Sequence, residues 1–250
     1  MVDALVLAGS RNDGPLKQCS SVPYEAMITI GRKTMVDYVI DALRDSKRIN
    51  RIVVVGPSDI SGFCTRSDVS VIKADGNLME NVSRGVACLP GAERVLLSTC
   101  DIPLITAQAI EDFLDKCGDR SAQFYYPVIP REVVEKRFCH TKRTYVTLKE
   151  GDFTGGNLFL IDPGAVNRCK EIGQQLIDAR KSPIRISKLM GVLFLLRFMM
   201  RMVSLREAEE KASDLLGIAG MVVVTTFPEV GVDVDKPCDL ELVIKVLDSA

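Results

Sequence analysis

The segment VLLSTCDIPLI places a carboxylate where a metal ligand is expected. Its apolar run ends in Asp101, and Pro103 and a new helix near Thr106 follow. A carboxylate at the end of a buried strand is a candidate ligand for a hard cation such as Mg²⁺, because such cations prefer oxygen. An aspartate that caps a turn before a proline explains the same letters. This segment alone leaves both interpretations open.

Further carboxylates lie near the C-terminus, in the segment VGVDVDKPCDLE. Valines alternate with Asp233 and Asp235 from Val230 onward, which predicts a strand that carries both acids on one face. A helix begins next, with Asp239 in its first turn, and capping of that helix explains Asp235 and Asp239. Capping gives no reason for Asp233. We therefore take Asp233, and after it Asp235, as further candidate metal ligands.

A glycine-containing turn follows the first apolar run, in AGSRNDGPLK. Such a turn exposes backbone N–H groups that bind phosphate, and Arg11 or Lys17 would offset the charge that develops on a phosphoryl group. The letters match neither GxxxxGK[ST] nor GxGxxG. An ordinary P-loop and a usual dinucleotide-binding turn are therefore excluded.

Short β-rich runs alternate with helical stretches through the first 120 residues. This alternation predicts an α/β protein with a mostly parallel sheet covered by helices, and ligands in such sheets collect at the carboxyl ends of the strands. The predicted strands here are Ala4–Leu7, Arg51–Val55 and Arg94–Ser98, and the predicted helices are Met35–Leu43, Leu78–Leu89 and Ala107–Lys116.

The second half of the chain reads as further strands followed by helices. Strands are predicted from Gln123, Thr144, Asn157 and Met221, and helices over residues 163–180 and 184–202. Another helix begins at Ser204, where Glu207 completes a capping box. We predict a single domain over residues 1–250 that includes a helical subdomain at about 163–216.

Composition argues against several classes of protein. Lys and Arg number 32 and Asp and Glu 33, so no overall basic field attracts nucleic acid. The 8 cysteines form no CxxC pair, and the single histidine, His140, has no second zinc ligand at a suitable spacing beside Cys139. The start MVDALVLAGS lacks the features of a signal peptide. We expect reduced thiols and a cytoplasmic protein.

Together these features resemble the MobA-like nucleotidyltransferase superfamily, which includes molybdenum-cofactor guanylyl- and cytidylyltransferases, methylerythritol-phosphate cytidylyltransferases and sugar-phosphate nucleotidyltransferases. The resemblance covers most of the chain, and its specificity comes from the order and spacing of several strings. These strings are LVLAGS with Arg11, YEAMITIGRKTMVDYVIDAL, GNLMENVSRGV, STCDIPLI, TGGNLFLID and VDVDKPCDLE.

The resemblance implies a GT-A-like Rossmann variant in which Mg²⁺ is held against a nucleoside triphosphate by Asp101 and by Asp233 or Asp235. An acceptor phosphate or similar oxygen would attack the α-phosphorus and release pyrophosphate, with positioning and charge neutralisation as the main catalytic effects. Arg11, Lys17 and Asp101 would be the catalytic residues. The implied nucleotide contacts are Ala8, Gly9, Ser10, Arg11, Asn81, Arg84 and Gly85, and the implied acceptor contacts are Gly155, Gly156 and Asn157.

Two residues depart from the family pattern. Ser10 follows Gly9 where the family has two glycines, and Glu25 stands where the family commonly has a lysine. Either Lys17 or Lys33 substitutes for that lysine, or the acceptor is altered, or catalysis has been lost. The competing functions are a glycosyltransferase that uses a sugar nucleotide and a nucleotide-binding protein without turnover.

Two other segments have alternative interpretations. The basic stretch from Arg131 to Arg143 either holds an anionic acceptor, with Arg143 as a contact, or forms a solvated loop. The apolar segment Leu189–Val203 is too short to span a bilayer and carries Arg197 and Arg201 on one helical face. It is either a core or dimer-interface helix, or an interfacial helix at a membrane surface.

Overall fold

The computed structural model of the protein describes residues 1–57, 69–118, 121–138, 143–179 and 183–248. The chain alternates strands and helices up to residue 118, as its periodicity predicts. The strands are β1 (Val2–Leu7), β2 (Thr29–Ile30), β3 (Lys33–Thr34), β4 (Ile49–Gly56), β5 (Val69–Lys73), β6 (Val95–Thr99), β7 (Phe124–Pro130), β8 (Val146–Leu148), β9 (Gly151–Gly155), β10 (Leu158–Ile161) and β11 (Gly220–Val224).

Within the described residues, nine of these strands form one sheet in the order β5-β4-β1-β6-β10-β7-β9-β8, with β11 paired to β7. The pairs among β5, β4, β1 and β6 are parallel. Strand β10 runs antiparallel to β6 and β7, and β11 lies parallel to β7. Because the parallel strands are buried on both faces, their sequences are continuous apolar runs such as Ile52–Val55. The predicted α/β class with a mostly parallel sheet is confirmed.

Helices cover both faces of the sheet. Helices α1 and α3 pack on the face that contains Ala4 and Val6, whereas α2 and α5 pack on the face that contains Leu5 and Val55. The helices are α1 (Met35–Asp45), α2 (Leu78–Ala87), α3 (Ala107–Cys117), α4 (Arg131–Arg137), α5 (Pro163–Ala179), α6 (Pro183–Met190), α7 (Val192–Met199), α8 (Leu205–Leu216) and α9 (Pro237–Asp248).

Helices α5 to α8 form the predicted helical insertion between β10 and β11. The capping box predicted at Ser204 is confirmed, since Ser204 and Glu207 exchange hydrogen bonds at the start of α8. The single helix predicted over residues 184–202 is wrong. Gly191 divides it into α6 and α7 because its φ of 87° lies in the left-handed region that favours glycine.

The strand predicted from Val230 is wrong. Residues Pro228–Gly231 form a 3-10 helix, and Val232–Asp235 belong to no strand among the described residues. The valines alternate because Val230, Val232 and Val234 are all fully buried, and an extended segment that buries one side shows the same period as a strand.

The solvated loop considered for the basic stretch is wrong about the loop at one described end and about the exposure of Arg143 at the other. Residues Arg131–Arg137 form α4, on which Arg131 and Arg137 are exposed, whereas Arg143 lies outside any helix or strand and its side chain is only 7% exposed. The predictions made for Cys139 and His140 lie outside the described residues. Every helix in the described part of the chain is too short or too polar to span a bilayer.

Candidate active site

The carboxyl ends of β1 and β6 bring two of the predicted site segments together. The strands are parallel neighbours, and Leu7 pairs with Thr99 at their ends. The N–H of Cys100 donates to the carbonyl of Leu7 at 3.1 Å, which holds the following loops side by side. The glycine turn after Leu7 therefore lies beside Asp101, at the edge of the sheet where α/β folds place ligands.

Asp101, Asp233 and Asp235 form a group that we call the carboxylate cluster. One carboxylate oxygen from each lies within 4.8 Å of those from the other two. The segment that carries Asp233 and Asp235 is fixed by Val234, whose N–H donates to the Asp101 carbonyl at 2.8 Å. Three carboxylates at this separation are the oxygen ligands that a hard divalent cation prefers, so the residues fit the predicted metal.

Asp239 caps α9, which is the alternative to metal binding that the sequence offered for the C-terminal acids. It is buried, and its Oδ2 accepts the N–H groups of Asp235 at 3.3 Å and Lys236 at 3.0 Å. The carboxylates of Asp233 and Asp235 are not needed for this cap. The two interpretations of the segment therefore apply to different residues within it.

The carboxylate cluster carries uncompensated negative charge at Asp101. Burial raises the pKa of Asp101 from its ordinary value of 3.8 to about 6, and the charges of Asp235 and Glu25 act in the same direction. A hydrogen bond from the Thr99 hydroxyl acts in the opposite direction. A bound cation would relieve this energetic cost of ionising Asp101.

Arg143 supplies positive charge to the other side of the cluster. Its side chain is only 7% exposed; it forms an ion pair with Asp233 and lies 3.5 Å from Asp239. Its Nη2 also donates to the Asp233 carbonyl at 2.6 Å, whereas its Nε has no hydrogen-bond partner. The residue predicted to contact the acceptor thus lies at the candidate metal ligands.

Glu25 faces the same site. Its N–H donates to the Ser10 carbonyl at 3.1 Å, and its half-buried carboxylate is hydrogen-bonded to the Ser10 side chain. Burial raises the pKa of Glu25, and the charges of Asp235 and Asp13 raise it further. The departure from the family lysine therefore adds negative charge beside the glycine turn.

A cleft opens beside Asp101, and neither lysine proposed as a substitute is among the described residues that line it. The ammonium of Lys33 lies 2.7 Å from Asp41 and 5.5 Å from the Tyr38 ring centroid, so it forms its ion pair with a residue of α1. Lys17 is exposed on the 3-10 helix Pro15–Gln18.

The glycine turn is shaped by close packing. A Cβ atom on Gly9 would lie 2.8 Å from the Ala74 side chain, so the turn requires glycine where it passes the end of β5. Buried Ala8 donates its N–H to the Val55 carbonyl at 2.7 Å. Arg11 is exposed, with its guanidinium 5.5 Å from the Tyr24 ring centroid.

The three predicted nucleotide contacts on α2 lie in different surroundings. Asn81 lines the cleft, and its Oδ1 accepts the N–H of Asp75 at 2.8 Å. Gly85 is buried against the side chains of Leu5 and Val55, which leave no room for a Cβ. Arg84 is exposed, 4.0 Å from Asp75. Of these three predicted contacts, the structure brings Asn81 to the site.

The predicted acceptor segment connects β9 and β10 and reaches the strand of Asp101. The Asn157 carbonyl accepts the N–H of Thr99 at 3.1 Å, and Asn157 donates its own N–H to the Val230 carbonyl at 2.8 Å. Gly156 packs against Val230 and Pro127, where a Cβ would lie at 2.7 and 2.9 Å. Gly155 packs against the Tyr126 ring.

A cleft of about 890 Å³ extends from Asp101 across the face of the sheet that α2 and α5 cover. Gly9, Ser10 and Asn81 line it on the β1 side of Asp101, and Gly156 and Asn157 line it on the β10 side. This volume lies in the range of small-molecule sites, roughly 300–1,000 Å³. Lining residues that the sequence analysis did not single out include Thr99, Met79, Tyr126, Phe159, Leu176 and Ile218.

A sheet with a glycine turn and a carboxylate cluster at its carboxyl edge defines a nucleotide-binding α/β protein. The family model described as MobA-like NTP transferase domain matches residues 4–174. The chain therefore belongs to this family, and the predicted resemblance is confirmed. It is a nucleotidyltransferase that uses a nucleoside triphosphate.

Three solved structures are similar to this chain over nearly its whole length. A hypothetical transferase from Thermus thermophilus is 34% identical, with 96% of this chain and 100% of that chain covered and a TM-score of 0.84. A CMP:2-keto-3-deoxy-manno-octonic acid synthetase complexed with CTP is 13% identical, with 99% and 98% covered and a TM-score of 0.64. A 4-diphosphocytidyl-2C-methyl-D-erythritol synthase from Anaerococcus prevotii is 12% identical, with 99% and 96% covered and a TM-score of 0.56. The last two show the fold alone. Comparison with curated proteins gives no match.

Proposed function

We propose that the protein transfers a nucleoside monophosphate from a nucleoside triphosphate to a phosphorylated or similar small acceptor, with Mg²⁺ at the carboxylate cluster. The observation that carries this proposal is the convergence of Asp101, Asp233 and Asp235 within 4.8 Å beside the Gly9–Ser10 turn. Hard-cation ligands and phosphate-binding N–H groups are the two components that triphosphate chemistry requires.

The reaction is an in-line displacement. An acceptor oxygen forms a bond to the α-phosphorus, and pyrophosphate leaves with the electron pair of the broken P–O bond. The N–H groups of Gly9 and Ser10 would orient the triphosphate, and Arg11 or Lys17 would offset charge from the solvent side. When bound, the divalent cation would neutralise phosphate charge. A phosphate nucleophile is already ionised, so the chain needs no base to activate it.

The test begins with thermal unfolding in the presence of each of the four common triphosphates, with and without Mg²⁺. A triphosphate that binds the folded state raises the unfolding temperature by mass action. We expect one triphosphate to do so with Mg²⁺, and Asp101→Asn to abolish the increase. Asp45→Asn is the matched control, because Asp45 is exposed at the end of α1.

Pyrophosphate release on addition of an acceptor then reports turnover. If the Mg²⁺-dependent increase in unfolding temperature is still seen in Asp101→Asn, the assignment of the site is contradicted. Release of a nucleoside diphosphate from a sugar nucleotide, without pyrophosphate release from any triphosphate, would indicate the glycosyltransferase.

Glu25 favours one alternative, a protein that binds triphosphate without turnover. Its carboxylate lies beside Ser10 and interacts electrostatically with Asp101 and Asp235, where the family commonly has a positive charge. This alternative predicts Mg²⁺-dependent binding that is lost in Asp101→Ala, with no pyrophosphate release for any acceptor tried.

We also propose that the protein acts in the cytoplasm and that the apolar surface of α7 is covered by a second copy of the chain. The described free cysteines suit a reducing compartment; they are Cys19, Cys88, Cys100, Cys117, Cys169 and Cys238. Phe194 and Phe198 of α7 pack against the apolar cluster of Phe153 and Val203, whereas Leu193 is 74% exposed, which leaves the outer side of α7 for a second copy. The chain carries a net charge of −1, which opposes self-association only weakly.

A further inference from the structure

The floor of the cleft beyond Asp101 is aromatic. Phe159 of β10 and Phe124 and Tyr126 of β7 present their rings to the same face of the sheet. The rings of Phe124 and Phe159 are stacked with centroids 5.9 Å apart, and Tyr126 lies 5.6 Å from Phe159. All three residues line the cleft.

The roof above this floor is aliphatic. Leu176 and Ile177 of α5 line it together with Leu216 of α8 and Ile218. The partly buried ring of Phe124 packs against the apolar cluster of Met79 and Ile218, so floor and roof join there. The result is an apolar compartment between the sheet and the helical insertion.

Strand order separates this apolar compartment from the triphosphate turn. The sheet runs β1, β6, β10, β7, so the Gly9–Ser10 turn lies on one side of Asp101 and the aromatic floor on the other. If the triphosphate occupies the β1 side, as the proposed function requires, the compartment is left for the acceptor.

Charge in the cleft limits what the acceptor can be. Asp101 is the one charged side chain among the described residues that line it. Desolvating an anionic group without a partner is costly, so an acceptor that carries acidic groups along its length would be disfavoured here. An apolar body would gain free energy in proportion to the area it buries.

We propose that the acceptor is an amphiphile, with its nucleophilic phosphate at the Asp101 end and an alkyl, isoprenoid or aromatic body in the apolar compartment. This inference rests on the proposed function. The acceptor oxygen bonds to the α-phosphorus and pyrophosphate departs, so the product is a nucleoside diphosphate esterified to an apolar group. No oxidant, reductant or further reactant enters the reaction.

The test is calorimetric titration of the protein in Mg²⁺ with n-butyl phosphate, n-octyl phosphate and glycerol 3-phosphate, all below micellar concentrations. Burial of each methylene is worth roughly a three- to fourfold gain in affinity. We expect octyl phosphate to bind at least tenfold more tightly than butyl phosphate, and glycerol 3-phosphate to bind most weakly. Affinity that is independent of chain length, or highest for glycerol 3-phosphate, would overturn the proposal.

Two leucine substitutions localise the effect. Leu176→Ser should weaken octyl phosphate binding about tenfold, the loss expected for one buried leucine contact. It should leave the affinity for the triphosphate unchanged. Leu193→Ser on α7 is the matched control, since Leu193 is 74% exposed and outside the cleft. If both variants lower the affinity for octyl phosphate equally, the alkyl chain does not lie in the apolar compartment.

The same variants distinguish failure of this inference from failure of the proposed function. If Leu176→Ser instead lowers the affinity for the triphosphate, the apolar compartment holds the nucleotide base and the amphiphile proposal is wrong. If chain-length dependence appears but no triphosphate binds with Mg²⁺, the apolar site stands and the transfer reaction is wrong.

Discussion

Asp101 is subject to opposing demands from folding and from ligand binding. Its carboxylate belongs to the carboxylate cluster, yet burial and the neighbouring acids make its ionised form costly in the absence of a cation. The residue is therefore expected to reduce the stability of the metal-free protein.

We predict that Asp101→Asn stabilises the metal-free protein. The folded pKa of about 6 lies above the ordinary 3.8, so the contribution of Asp101 to stability is present below pH 4 and is lost as the pH rises through 6. The asparagine variant should gain up to roughly 3 kcal/mol at pH 7.5 and little at pH 4. Urea unfolding in EDTA across this pH range measures the difference. A gain that does not change with pH, or an equal gain in Asp45→Asn, would contradict this explanation.

Glu25 is predicted to weaken triphosphate binding. Replacing it with lysine places an ammonium group beside Ser10, close to Asp13 and Asp235, and reverses the charge that faces a triphosphate. We expect affinity to increase about five- to tenfold in calorimetry, with Glu25→Gln intermediate, as for a charge change at a partly solvated site. Glu93→Lys is the control, since Glu93 is exposed before β6, at the opposite end of that strand. Weaker binding by a folded Glu25→Lys variant would show instead that the carboxylate assists binding.

At the scale of elements, the site depends on backbone segments that pass very close to one another. The β9–β10 connection is held against Val230 and Pro127, and the segment after Val230 carries the cluster acids. A small displacement of this connection should therefore reach both the acceptor side and the metal side.

We predict that Gly156→Ala destabilises the fold and the reaction together. The new methyl group would lie 2.7 Å from Val230 and 2.9 Å from the Pro127 ring, and the ring has little freedom to move. Overpacking of this kind costs about 1–3 kcal/mol. The free energy of unfolding measured with urea and the rate of pyrophosphate release should both be lower in this variant. Gly14→Ala is the matched control, because no atom lies within 4 Å of its added Cβ, and it should retain stability and activity.

The sequence predicted the elements whose burial is repeated along the chain. The apolar runs of β1, β4 and β6 indicated buried parallel strands, and strand-end position predicted Asp101 as a metal ligand, which stays a prediction. Periodicity failed at Val230 because it records which side is buried and does not show whether a strand partner exists. It also could not reveal that Arg143 pairs with Asp233, since 90 residues separate them in the chain.

The residues that line the cleft could not be predicted from the sequence either. Leu176 and Leu216 belong to helices whose periodicity predicts an apolar face but not the surface that the face contacts. Their position over Phe159 depends on how the helical insertion packs on the sheet. Such contacts are set by the whole molecule.

At the scale of the whole molecule, we predict a dimer formed through α7. Arg197 pairs with Glu207, so part of the positive charge that would attract an anionic membrane is neutralised within the chain. Light scattering should give twice the monomer mass, and Leu193→Glu should give the monomer mass. Ile244→Glu on α9, where Ile244 is 37% exposed, is the control. A monomeric protein that sediments with anionic liposomes at low salt would contradict the dimer and support the membrane contact.

The buried guanidinium of Arg143 has a consequence for the order of folding and metal loading. Its pairing with Asp233 and its position 3.5 Å from Asp239 give the acidic segment an internal counter-ion. The segment can therefore close against the Asp101 loop before any cation arrives, unlike small zinc domains that fold only when metal is bound. Chelators should empty this site without unfolding the chain, and an incoming cation would exchange with an ion pair that already exists.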